Sequence, residues 1–221
     1  MNHIKSLLLI LFLLLIDQWS KIYIKTNFIL GESIDVFDKF KLYFIENEGA
    51  AWGAKLSDIF PIADDTGKLV LTIFRILAVS GIGYWLYDLI RKKVSSTYIL
   101  AVSFIFAGAL GNIIDSVFYG MLFDHSNGQV ATLFSNEPYG GIFYGKVVDM
   151  LYFPLINTTW PAWVPHFGGT TFSFFDPIFN IADVAISTGV GILIVFNKKA
   201  FGSKNTVEDI TETENQSAEN L

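Results

Sequence analysis

Residues 98–118 read YILAVSFIFAGALGNIIDSVF, an apolar run charged only at Asp115 near its far end. A helical crossing of the hydrocarbon core takes about 20 such residues, because lipid offers no partner for backbone N–H and C=O groups and only the helix satisfies them internally. Outward from this run, three more of the same kind occur at about 4–24, 69–90 and 178–196. With 52% hydrophobic and 16% charged residues, the chain reads as an all-α membrane protein with four transmembrane helices.

Charge fixes the expected orientation. Lys5 precedes the first run, Arg91, Lys92 and Lys93 separate the second from the third, and Lys198 and Lys199 follow the fourth. By the positive-inside rule both termini face the cytoplasm, and segments 25–68 and 119–177 lie on the outer side. Leu7 to Ile16 has the length of a signal-peptide core, but Ile16-Asp17-Gln18-Trp19-Ser20-Lys21 offers no small-residue cleavage site, so the first run is expected to stay as a span. Residues 26–66 interleave Ile, Val, Phe and Tyr with polar residues, a pattern expected to form a small β-rich platform on the outer surface. The net charge is −6, and Glu208, Asp209, Glu212, Glu214 and Glu219 account for all but one unit of it. Residues 1–200 are therefore expected to form one membrane domain, and 201–221 a disordered acidic cytoplasmic tail. Cysteine is absent, and His3, His125 and His166 lack metal-ligand spacing, so no thiol chemistry, metal site or other cofactor is expected.

Asp149, in Val-Val-Asp-Met-Leu-Tyr-Phe, and Asp183, in Phe-Asn-Ile-Ala-Asp-Val-Ala-Ile, have no cation in their own segments. An aspartate at mid-bilayer costs about 2.5–3.5 kcal/mol on insertion scales, so such acids are first candidates for function. With the orientation above, Asp17 and Lys21 (i, i+4), Arg75, Asn112 with Asp115 (i, i+3) and Asn180 with Asp183 (i, i+3) all fall at one depth toward the outer side. Plainer readings exist for most of them. Asp17–Lys21 fits a structural ion pair, Asn112 and Asn180 fit hydrogen-bonding scaffold, Arg75 fits a snorkelling cation, and Ala107, Gly108, Ala109 and Gly111 fit close helix packing. Trp160 and Trp163 fit an interfacial belt. Two carboxylates in one site cannot both ionise cheaply, so they share a proton, and such a pair can activate water. A proton- or ion-coupled transporter would also use intramembrane acids, but it would spread them through the bilayer, and no repeat or inner row of charges is present. A non-enzymatic scaffold would explain the small-residue packing and leave the two aspartates unexplained.

Five blocks then carry a resemblance: Asp17-Gln18-x-x-Lys21, Asn47-x-Gly49-Ala50-Ala51-Trp52-Gly53, Gly108-Ala109-Leu110-Gly111-Asn112-x-x-Asp115, Val147-Val148-Asp149 and Phe179-Asn180-x-Ala182-Asp183. In type and order the chain resembles the lipoprotein signal peptidases, signal peptidase II, over about residues 10–195. The resemblance implies an aspartic endopeptidase of the bacterial inner membrane. It would remove the signal peptide of a prolipoprotein just before a diacylglyceryl-modified cysteine, without a metal or cofactor. It also implies membrane lipids as surroundings, globomycin as inhibitor, no nucleic-acid partner and a monomer. Asp149 and Asp183 would be the catalytic pair; Asp17, Lys21, Asn47, Gly49, Ala50, Gly108, Gly111, Asn112, Asp115, Asn180 and Ala182 would shape or support the site. Two departures stand out. Ser116 occupies the place where the family usually has arginine, for which Arg75 is a candidate substitute, and outer segments 121–144 and 155–177 are longer than the family pattern. These segments are expected to form a rim over the site, and Asp124 in the first of them is the rival acid to Asp149.

Overall fold

The computed structural model describes residues 1, 3–48, 60–61, 63–154, 156–159, 161–174 and 177–196. Its first helix, α1 (His3–Lys25), is inside-out relative to a water-soluble helix. Ser6, Asp17, Lys21 and Lys25 are buried, while Leu8, Phe12, Leu15 and Trp19 are exposed. Such an arrangement is costly in water and natural in lipid, where apolar side chains face the solvent and ionic groups turn inward. Helix α2 (Asp64–Arg91) follows, then α3 (Ser96–Ile114), which runs on through a π-helical turn at Asp115–Tyr119 and a last short piece, α4 (Gly120–Leu122). Ser95 caps α3 by accepting a hydrogen bond from Tyr98 N at 3.4 Å. These three helical stretches are long and apolar enough to cross a membrane, and the chain is an integral membrane protein.

The fourth apolar run departs from expectation. Its first residues, Ile178 and Phe179, are a short strand, and helix α5 (Ile181–Val195) begins only after Asn180. Fifteen helical residues rise roughly 22 Å at 1.5 Å each, short of the ~30 Å hydrocarbon core. Residues 197 onward, including the acidic tail, lie outside the described residues.

The β-structure is also larger than expected. Strands β1 (Ser33–Phe37) and β2 (Phe40–Asn47) come from the expected platform, but β3 (Val147–Tyr152) and β6 (Ile178–Phe179) complete an antiparallel sheet in the order β1-β2-β3-β6. Between β3 and β6 a separate hairpin pairs β4 (Ile156–Thr159) with β5 (Thr171–Phe174). Asp149 therefore stands on a strand of the sheet, paired with Ile45 of β2, not in a helix or loop. Strands place successive side chains on opposite faces. Val148 and Met150 enter one hydrophobic cluster with Ile24, Phe28, Phe44, Tyr119, Phe123 and Ala131, and Asp149 between them points the other way. Two members of that cluster, Phe123 and Ala131, belong to the inserted segment. It underpins the sheet from the side away from Asp149, rather than forming a rim over it.

Candidate active site

At the base of the site a buried ionic cluster joins three elements. Lys21 Nζ lies 2.9 Å from Asp17 Oδ2, 2.9 Å from Asp115 Oδ2 and 2.9 Å from Asn112 Oδ1, with its side chain and both carboxylates buried. One cation serves two acids, so further donors are needed, and they come from neighbouring backbone and amides. Ala182 N donates to Asp17 Oδ1 at 2.9 Å, Val148 N to Asp115 Oδ2 at 3.3 Å, and Gln18 Nε2 to Asp115 Oδ1 at 2.9 Å. Tyr119 Oη donates to Gln18 Oε1 at 3.1 Å, which turns the Gln18 amide so that its NH2 faces the acids. Asp17 thus holds the start of α5, and Asp115 holds strand β3.

The same cluster orients the two amides that touch the candidate acids. Asn112 Oδ1 receives Lys21 Nζ and, at 3.2 Å, Asn180 Nδ2, leaving its NH2 to donate to Asp183 Oδ1 at 2.9 Å. Asn180 accepts Asp183 N at 3.0 Å and donates to Asp149 Oδ1 at 2.7 Å. Asn180 N in turn donates to Asp183 Oδ2 at 3.3 Å, closing a capping box at the N-terminus of α5. Asn47 reaches Asp149 Oδ2 with a long contact of 3.5 Å. Asp149 and Asp183, distant in sequence, thus share one bridging pair of amides.

Their surroundings differ. Asp149 is 6% exposed; burial, with the charge of Asp183 nearby, pushes its carboxyl up to about 7. Asp183 is only half buried, in the first turn of α5 and within its capping box.

Both line a cavity of about 490 Å³ with Asn47, Arg75 and Asn112. The rest of the lining is apolar: between the helices it is formed by Ala78, Val79 and Ile82 of α2, Ala109 of α3 and Ile186 of α5, and around the polar level by Phe74, Ile113, Val147 and the segment 177–179. Close helix packing keeps the wall thin. A Cβ on Gly108 would collide with Ala182 O, so glycine there lets α5 dock on α3, and a Cβ on Gly111 would lie 2.6 Å from Asp17 Oδ2, so glycine there leaves room for the carboxylate from α1.

With this geometry in place, comparison with known proteins is decisive: the family model for signal peptidase (SPase) II matches residues 9–198. The chain belongs to the signal peptidase II family. A lipoprotein signal peptidase of Porphyromonas gingivalis is 45% identical over 189 residues, covering 85% of this chain and 80% of its own. One of Amoebophilus asiaticus is 38% identical over 192 residues, covering 84% and 73%. A solved bacterial membrane enzyme superposes with a TM-score of 0.56 at 25% identity, over 92% of this chain and 93% of its own.

Of the expected site residues of this signal peptidase II family member, Asp17, Lys21, Asn47, Asn112, Asp115, Asn180, Ala182, Asp149 and Asp183 come together. Gly108 and Gly111 lie beneath them, and Gly49 and Ala50 lie outside the described residues. Asp124 stands apart: it is partly exposed in the inserted segment and accepts Thr132 N at 2.7 Å, which holds its carboxyl below the usual range. Sequence reasoning missed the orienting part of Gln18 and Tyr119. It also missed a second buried ion pair, Lys25 with Glu46, joined by Ser126 Oγ at 2.9 Å from each. Nothing local marks Glu46 as its partner; only the pairing of β2 with β3 carries it inward.

Proposed function

We propose that this protein is an intramembrane aspartic endopeptidase that cleaves the signal peptide from diacylglyceryl-modified prolipoproteins just before the lipidated cysteine. The observation that carries this reading is the cavity: two carboxylates bridged by Asn112 and Asn180 at one level, continuing into an apolar passage between α2, α3 and α5. A substrate that is a peptide at one end and lipid at the other matches that polarity.

In the mechanism proposed, Asp149, buried and raised toward neutrality, holds the shared proton and donates it as a hydrogen bond to the scissile carbonyl oxygen. Asp183, the more exposed of the two at the start of α5, takes a proton from water as the water oxygen bonds to the carbonyl carbon. On collapse of the tetrahedral intermediate the C–N bond breaks, the new amine takes a proton from Asp183, and the remaining proton returns to Asp149. Asn112 and Asn180 do not react; anchored through Lys21, they hold the two acids in register. The protein would sit in the bacterial inner membrane with both termini cytoplasmic and the sheet on the periplasmic side, residues 1–200 forming the working unit. Globomycin would occupy the same cavity, and a monomer suffices, since every acid and amide comes from one chain.

The test is incubation of the detergent-purified chain with a diacylated prolipoprotein. A mobility shift that globomycin abolishes is expected; an unprocessed substrate with well-folded enzyme would refute the proposal.

A further inference from the structure

We propose that Arg75 anchors a carbonyl oxygen of the substrate, delivered from α2 to the place occupied by Ser116. Resting on the peptidase reading above, the inference begins with position. Thr72, Arg75, Ile76 and Val79 fall on one stripe of α2 (i, i+3, i+4, i+7). Ile76 and Val79 pack against Ile113 and Val117 of the α3 stretch, and Thr72 Oγ1 donates to Phe143 O at 3.1 Å. The stripe therefore faces α3, and Arg75 with it. Its Nη1 donates to Ser116 Oγ at 3.4 Å, while Ser116 donates onward to Asn112 O at 2.9 Å. Ser116 can accept from Arg75 because its own proton is committed to the helix backbone.

Chemistry gives Arg75 its task. It is the one lysine or arginine among the described residues lining the cavity, where it shares the wall with Asp149 and Asp183. The other lining polar groups either accept hydrogen bonds, as the carboxylates do, or direct amide donors at those carboxylates, as Asn112 and Asn47 do. A peptide or an acylglycerol entering here brings carbonyl oxygens, and a guanidinium presents five N–H donors in a planar fork suited to them. A small serine at position 116 leaves room for the fork to arrive from the neighbouring helix.

The measurement uses the full chain in detergent. With a diacylated prolipopeptide, Arg75→Gln should raise KM about 10- to 100-fold while kcat falls less than about threefold, the scale of one charged hydrogen bond. In an Asp149→Asn background, the same peptide should bind more weakly by the same factor, a reading that stands even if the wild type cleaves nothing. Failure of wild-type cleavage would thus sink the peptidase reading, and unchanged binding would sink the Arg75 anchor, separately. Arg75→Lys, which keeps the charge with a different fork, should give an intermediate KM, and it supplies the measurement if Arg75→Gln does not fold. A dialkyl analogue lacking ester carbonyls separates the sources: loss of the Arg75→Gln penalty with it assigns the anchor to the lipid ester, and persistence assigns it to the peptide. An unchanged KM and binding constant, or a shifted pH profile with KM unaltered, would overturn the proposal.

Discussion

Asp149 and Asp183 are each held by one amide on Oδ1, so replacing either carboxylate by its amide keeps size and most contacts while removing the ability to take or hold a proton. Asp149→Asn and Asp183→Asn should each lower kcat by about 10²–10⁴-fold, the range of a lost general acid or base. The double variant should be little worse, because groups acting as a unit are not additive. Asp124→Asn, with its carboxylate out on the inserted segment, should retain near wild-type turnover; the reverse pattern would reassign the first acid. Stability should respond to pH in a defined sense. In the unfolded chain the Asp149 carboxyl loses its proton near 3.8, whereas in the folded protein it keeps it to about 7. Between these values the folded state binds more protons, so this group's contribution falls as pH rises through the window and is level above it. The melting temperature of Asp149→Asn minus that of wild type should therefore increase from pH 4 to pH 7; a flat difference would contradict the raised carboxyl. Lys21 behaves otherwise, since removing it strands Asp17 and Asp115 in the interior. Breaking a buried pair costs about 3–5 kcal/mol. Lys21→Met should accordingly depress folded yield more than it lowers the kcat of surviving enzyme.

At the scale of elements, the inserted segment is the clearest departure from expectation, and its placement changes what its loss should do. Phe123 is fully buried and Ser126 is 2% exposed, the latter bonded to the Lys25–Glu46 pair, with Lys25 Nζ 5.2 Å over the Phe123 ring. The chain then returns along the end of the α3 stretch, where Phe143 N and Gly145 N take the carbonyls of Val117 and Ser116 at 2.9 Å each. Joining Gly120 to Lys146 would remove part of the core as well as the partners of those carbonyls. A finer change isolates the effect: Phe123→Ala should cost about 3–5 kcal/mol, read as a lowered melting temperature, with kcat of the folded fraction preserved. A lowered kcat at unchanged stability would return the segment to the site. What was legible beforehand followed from spacing within single helices. Asp17 with Lys21, Asn112 with Asp115, and Asn180 with Asp183 each lie one turn apart, and the cost of charge in lipid made them stand out. What was not legible depends on non-local pairing. Val147–Tyr152 reads as an apolar run whether it becomes a helix, a loop or a strand, and only the register with β2 turns Asp149 toward Asn180 while Val148 and Met150 face the opposite side. Likewise the 178–196 run is apolar throughout, and its first two residues become sheet because they find Leu151 and Tyr152 to pair with.

For the whole molecule, the polar level of the cavity and the basic residues lie at opposite ends of the helices. Arg75, Asn112 and Asp183 belong to one end, and Arg91, Lys92 and Lys93 form the connection at the other. In the orientation proposed above, the site lies on the outer side and the C-terminal extension on the inner. Nothing in the acidic run from Glu208 to Glu219 could reach Asp149 or Asp183 in that arrangement without crossing lipid. Truncation after Lys204 should consequently leave kcat and KM for a diacylated prolipopeptide within about twofold of the full chain, a difference of ~0.4 kcal/mol by the usual relation of rate to free energy. In intact cells a tag at the new C-terminus should be shielded from external protease until the inner membrane is opened. Loss of cleavage in the truncated protein, or a tag digested from outside, would invert the orientation and with it the side from which substrate enters.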